Sequence, residues 1–274
     1  MTAVRTGFVT VPGARLWFDD RGAGPAIVCT HAGIADHRMW DAQLGAFSAS
    51  HRVVRWDMRT FGRSTSDATP YSTRADLLAV LDHVGLERAT LVGCSIGGGV
   101  TLSFAVEHPH RVAALVLIAP GVAGLETPDW PQEAALDAEE QRLVTAQDWA
   151  GLADFDVRTW VDGVGQPAGR APAAVRELVR AMDLDHHQAQ HPSADHLPLR
   201  PPAGRRLGEV AAPTLLLIGD LDTPPCLATL ETLAAGIRGA KVHHFPDAAH
   251  LPNMECPAEF DRVVLLDFLG PLGL

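Results

Sequence analysis

Gly93-Cys94-Ser95-Ile96-Gly97 sets one serine between glycines directly after the apolar run "ATLVGC" at residues 89–94, and the segment after it, "IGGGVTLSFAVEHP", is able to start a helix. A strand that turns abruptly into a helix forces its apex residue into a strained backbone conformation. The residues two before and two after the apex must be tiny, because strand and helix nearly touch there. Gly93 and Gly97 hold those places. Such a turn exposes the serine oxygen and aims the free N–H groups of a helix N-terminus at charge forming nearby. Ser95 is the expected nucleophile; the plainer reading of the stretch is a glycine-softened turn.

A serine hydroxyl is a poor nucleophile at neutral pH without a base. Of the thirteen histidines, His250 in "FPDAAHLPNMECP" is best placed, between the last expected strand and the last expected helix. His243 and His244 lie inside that strand, where rings pack on the sheet or face solvent. The base needs an acid to fix its tautomer and stabilise the imidazolium. "LIGDLDTPP" offers Asp220 and Asp222; Asp222, further into the loop, is the expected acid, and Asp220 caps or orders the turn. The N–H of Ile96 is one expected oxyanion donor. The second is the N–H of Gly33 in "CTHAGIADHRMW", a loop after an early strand. His31 is expected to bond loop backbone, and Asp57 with Arg59 to form a structural pair ordering the loop "RWDMRTFGRS".

These residues need a scaffold that brings loop ends together. "GFVTV" and "ARLWFDD" flank Pro12-Gly13 and read as a hairpin. Further strands are expected at 25–31, 52–57, 89–94, 113–119, 213–220 and 240–246, several continuously apolar as strands covered on both faces must be. Helix candidates fall at 38–47, 74–85, 97–108, 224–236 and 257–269. The alternation predicts an α/β fold with a mostly parallel central sheet and helices on both faces. It breaks at residues 121–203, which are helical in pattern and Pro-rich at the end. That stretch is expected to be a lid inserted after the sixth strand, covering the carboxyl edge of a core formed by residues 1–120 and 204–274.

A net charge of −11 over 274 residues, with Lys241 the single lysine, argues against nucleic acid or an anionic membrane as partner. The four cysteines, Cys29, Cys94, Cys226 and Cys256, show no paired spacing. With no signal-like N-terminal design and no apolar run of transmembrane length, a soluble, reduced cytoplasmic protein is expected. His186, His187, His191 and His196 suggest a metal cluster, but their uneven spacing fixes no geometry; a solvated lid face is the expectation, with no metal and no cofactor.

Taken in order, "HAGIADHRMW", "WDMRTFGRS", "VGCSIGGG", "IGDLDTP" and "DAAHLPNMECP" resemble the lidded α/β-hydrolase family over essentially the whole chain. The resemblance implies a Ser95–His250–Asp222 triad, an oxyanion hole at Gly33 and Ile96, and a helical cap over the pocket. Ala32 and Thr60 stand where the family usually has glycine. Within the family the chain is most similar to the enol-lactonase and carboxylesterase branch. A serine hydrolase of a small carboxylic ester or lactone is therefore expected. Alternatives are a meta-cleavage carbon–carbon hydrolase, with Arg158 or Arg180 holding a substrate carboxylate, a cofactor-free perhydrolase or haloperoxidase, and a ligand receptor of the same fold. Trp130, Trp149 and Trp160 are candidates to meet the substrate, and an exposed apolar lid face to form a homodimer.

Overall fold

Strands that are apolar along their whole length need cover on both faces. The computed structural model describes residues 4–189 and 192–274 and shows how that cover is built. One sheet contains β1 (Arg5–Val11), β2 (Ala14–Gly22), β3 (Ala26–Thr30), β4 (Arg52–Trp56), β5 (Thr65–Ser66), β6 (Ala89–Cys94), β7 (Val112–Ile118), β8 (Thr214–Gly219) and β9 (Lys241–Phe245). The spatial order is β1-β2-β4-β3-β6-β7-β8-β9, with β5 paired to β2. The β1–β2 hairpin closes at Val11 and Ala14, where Gly13 takes φ +73°, and β2 is antiparallel to β4. Every other neighbouring pair from β4 to β9 is parallel.

Side chains alternate between two apolar layers. Leu91, Leu115 and Leu216 enter one, with Leu77, Val80 and Leu81 of α2 (Thr73–Val84), Leu102 of α3 (Ile96–Glu107) and Leu230 of the helix Pro224–Gly236. Val92, Val116 and Leu217 enter the other, with Phe47, Phe260 and, from the inserted segment, Val161 and Val179. The fold is thus an α/β sheet with helices on both faces. Its local logic is visible in α2: the Ser72 hydroxyl accepts the Ala75 N–H, buried residues recur at i, i+3, i+4 and i+7, and Gly85 at φ +73° ends the helix.

Three expectations need adjustment. The segment 38–47 divides into a tight turn at His37–Trp40, capped by Asp36, and a short helix α1 (Leu44–Ser48). The segment 257–269 begins as a helix at Pro257–Arg262 and continues in wider turns to Leu269. The insertion follows the seventh strand rather than the sixth, because the two-residue β5 is too short to leave a hydropathy pattern.

Between β7 and β8 the chain forms α4 (Glu133–Thr145), α5 (Trp149–Asp156), wider turns at Val157–Gly163, and α6 (Ala173–Gln188). It meets loops that follow the parallel strands. The His250 N–H donates to the Trp160 carbonyl at 3.1 Å, Arg38 pairs with Asp185 at 2.9 Å, and the His186 ring stacks on Phe61 at 4.0 Å. Among the described residues no helix is long and apolar enough to cross a membrane.

Candidate active site

Ser95 stands at the end of β6 with φ +54° and ψ −120°, a conformation that is strained for any residue bearing a Cβ. The surrounding backbone holds it there. Its N–H donates to the Ile118 carbonyl at 2.9 Å, and its carbonyl accepts from Gly99 at 3.1 Å and Gly121 at 2.9 Å. A Cβ on Gly93 would stand 2.4 Å from the Gly97 carbonyl oxygen, and one on Gly97 would stand 2.4 Å from that of His31. Both glycines are therefore required by contact. Cys94 is fully buried with its thiol 3.8 Å from the His250 carbonyl, and burial first, with the nearby Asp222 charge, pushes its pKa well above the usual value.

His250 and Asp222 come together from loops after β9 and β8. The His250 Nδ1 and Asp222 Oδ2 are 2.7 Å apart, with both residues buried. The other Asp222 oxygen accepts the Thr223 N–H at 2.7 Å, which fixes the carboxylate. With Nδ1 donating to the acid, Nε2 is the basic nitrogen of the ring. Burial opposes charging the ring, but the Asp222 carboxylate, its hydrogen bond and the Cys226 side chain hold the His250 pKa well above an ordinary histidine's. Asp220 instead pairs with His244, 2.6 Å away at the exposed edge, and His243 pairs with Glu259.

Ser95 and His250 border one cavity of about 150 Å³, together with Gly33, Ile34 and Trp160. Ile96 opens α3, so its N–H has no acceptor within the helix. Its side chain lies 3.4 Å from where a Gly33 Cβ would stand, so the residues carrying the two expected donors are neighbours. Trp160 is the one tryptophan of the three candidates that borders this cavity; its ring lies 4.8 Å from that of His250. Trp149 stacks on His187 instead.

The model of the alpha/beta hydrolase fold family matches residues 25–257. The chain belongs to the α/β-hydrolase family. A relative named as a carbamate hydrolase, RutD of Variovorax paradoxus, is 32% identical over 248 residues, covering 84% of this chain and 86% of its own. The 2-hydroxy-6-oxo-6-phenylhexa-2,4-dienoate hydrolase of Burkholderia cepacia is 30% identical, covering 93% and 91%. The solved enol-lactonase of Burkholderia xenovorans LB400 superposes with a TM-score of 0.77 at 24% identity, covering 96% of this chain and all of that one, a likeness of fold.

In this α/β-hydrolase the loops around the cavity are held by buried polar groups. His31 bridges two loop segments, Nδ1 to the Ala32 carbonyl at 2.8 Å and Nε2 to the Met58 N–H at 3.0 Å. Burial lowers its pKa. The expected Asp57–Arg59 pair does not form. Asp57 turns to His37 at 2.8 Å and to the Arg63 N–H, while Arg59 pairs with Asp76 of α2 through both oxygens, at 2.7 and 2.9 Å. The loop runs between two elements, each offering a partner. Thr60 takes φ +70°, the conformation for which the family's glycine is suited, and its carbonyl meets His186 Nδ1 at 3.1 Å.

Arg158 and Arg180 pair with Glu139 and Asp154 and border a separate groove on the insertion, away from Ser95. The histidines of the insertion disperse. His186 packs on Phe61, His187 on the buried Asp183 at 3.3 Å, and His196 meets Tyr71; His191 lies outside the described residues. Those described each meet a separate partner, with His196 still exposed, and do not share one face. Among the described residues, clusters whose ligating atoms converge are Asp222–Cys226–His250, Asp36–His37–Asp57 and Asp156–Asp183–His187. The first is part of the candidate site. In the second the carboxylates are engaged by Arg38, His37 and Arg63, and the third joins α5 to α6. Cys226, beside His250 and Asp222, is the site residue that sequence reasoning missed. It lies in the first turn of the helix Pro224–Gly236, whereas Asp222 precedes that helix, so no helical spacing in the sequence links the two.

Proposed function

We propose that this hydrolase cleaves a small carboxylic ester or lactone through an acyl-enzyme. The reading rests on the buried His250–Asp222 pair bordering the same cavity as a serine held at positive φ. Ser95 attacks the carbonyl carbon. His250 takes the serine proton, passes it to the leaving alcohol, and then activates water for deacylation. Asp222 orients the ring and stabilises its charge, and the Gly33 and Ile96 N–H groups receive the oxyanion. The helical insertion acts as the lid, with Trp160 its contribution to the cavity wall.

A fluorophosphonate probe followed by peptide mapping tests the class, and a panel of p-nitrophenyl esters and lactones tests the substrate. Label is expected on Ser95, and Ser95→Ala is expected to lose nearly all turnover, since base and oxyanion contributions are each worth on the order of 10²–10⁴. Ester hydrolysis at the wild-type rate by Ser95→Ala overturns the mechanism.

Carbon–carbon cleavage of a carboxylated dienoate is the second reading, favoured by the Burkholderia cepacia relative. Against it, the two lid arginines suited to a substrate carboxylate are occupied by Glu139 and Asp154.

A further inference from the structure

The cavity at Ser95, about 150 Å³, falls below the roughly 300–1,000 Å³ typical of ligand pockets. It holds the reacting carboxyl and little of what is attached to it. Next to it lies a pocket of about 310 Å³, built by α3, the loop at residues 58–61 and the closing strap of the insertion at residues 196–203. Ile96 and Gly121 border this pocket, and both belong to the Ser95 surroundings: Ile96 follows the serine and Gly121 donates to its carbonyl. The Ile96 side chain also reaches Gly33 on the other side, and it is 43% exposed although large and apolar. It is the partition between the two spaces.

The larger pocket has a definite chemistry. Phe61, Val100, Leu199 and Pro202 give it apolar walls. Its two arginines are each ion-paired: Arg59 with Asp76, its guanidinium also 4.8 Å over the Tyr71 ring, and Arg74 with Glu107 at 2.9 Å. Partial burial, and then Arg74, lower the His196 pKa and so disfavour its charged form. Apart from Arg59 Nη1, which has no hydrogen-bond partner, the charges bordering the pocket are already paired. An anionic group entering this space would lose its hydration and compete with Asp76 and Glu107 for guanidinium groups already paired, whereas an apolar group gains by burial.

We propose that this pocket is the substrate's second subsite and receives an uncharged apolar or aromatic group, which passes over Ile96 from the carbonyl held at Ser95. This rests on the serine-hydrolase reading and adds to it the substrate class, a medium-chain or aryl-bearing ester or lactone rather than an acetate-sized or carboxylated one. Each methylene buried there is worth roughly a threefold to fourfold gain in kcat/KM until the space is filled.

The test compares purified full-length protein on p-nitrophenyl acetate through decanoate, and on phenylacetate esters of alcohols from methyl to octyl. A rise with chain length in either series is expected. Val100→Phe and Ser103→Phe, one turn apart on α3, fill the pocket and are expected to lower the octanoate-to-acetate ratio, or the matching alcohol ratio, at least tenfold. Leu199→Ala enlarges it and is expected to move the optimum to a longer chain. A p-nitrophenyl monoester of adipic acid is expected to react at least tenfold more slowly than the hexanoate. A flat chain-length profile with ratios unchanged in all three variants overturns the subsite. Preference for the adipate overturns its uncharged character. Absence of fluorophosphonate label on Ser95 in the wild type is the separate failure that overturns the serine-hydrolase reading itself.

Discussion

Replacing Asp222 by Asn keeps the shape of the acid and removes its charge. In the structure the carboxylate does two things for His250. One oxygen accepts from Nδ1 at 2.7 Å, which leaves Nε2 unprotonated toward the cavity, and the charge lifts the ring pKa against the effect of burial. An asparagine amide turned to donate toward Nδ1 places the proton on Nε2, the wrong nitrogen for a base. It also leaves a forming imidazolium buried without a counter-charge. Loss of the tautomer and of the charge together is worth on the order of 10⁴ in kcat in a triad of this kind, or about 5 kcal/mol of transition-state stabilisation. The pH profile carries a second signature. The base works as neutral imidazole, so wild-type activity is gained as pH rises through the elevated His250 pKa. In Asp222→Asn burial dominates, the pKa falls, and the acid limb moves to lower pH. Asp220→Asn is the control: Asp220 is exposed and pairs with His244, and its loss is expected to change kcat/KM by less than about threefold. The assay is kcat/KM for a p-nitrophenyl ester from pH 5 to 9 on the three proteins. More than a tenth of wild-type activity in Asp222→Asn, or an equal loss in Asp220→Asn, refutes the assignment.

Further expectations follow from contacts. Gly97→Ala places a methyl within 2.5 Å of two backbone carbonyl oxygens, so a loss of at least about 1–3 kcal/mol is expected in chemical denaturation; an unchanged midpoint would mean the turn has room to relax. Asp76→Asn leaves Arg59 charged and buried, and is expected to cost about 3–5 kcal/mol on the same assay. His187 has its pKa raised to about 9, burial opposing and Asp156 and Asp183 raising it. Its contribution to stability is therefore complete below about pH 6.5 and lost as pH rises through 9. The melting temperature of the wild type should fall across that window more than that of His187→Gln, and parallel curves would remove His187 from the account.

Much of this was legible in the residues. Continuous apolar runs mean strands covered on both faces, alternation with helical patterns means a parallel sheet, and Gly93 and Gly97 around Ser95 mean a close approach of strand and helix. These are local rules that hold whatever the rest of the chain does. The order of the serine, acid and histidine loops was equally plain, because each follows a strand and parallel strands end on the same edge. Partner choice was not legible. Asp220 and Asp222 are two residues apart on one loop, and only the path of the chain decides that Asp222 turns to His250 while Asp220 faces His244. Asp57 and Arg59 looked like a pair and are not, because His37 and Asp76 arrive from distant segments with better geometry. The same holds for Cys226 beside the histidine, for Trp160 rather than Trp149 at the cavity, and for the position of Ile96 between two spaces. The sequence by itself determined the sheet and the elbow and pointed to the residues proposed to do chemistry, since these follow from periodicity and backbone sterics. Which side chains face one another across the site was decided only by the tertiary structure, because that depends on how loops far apart in the chain come to share one edge of the sheet.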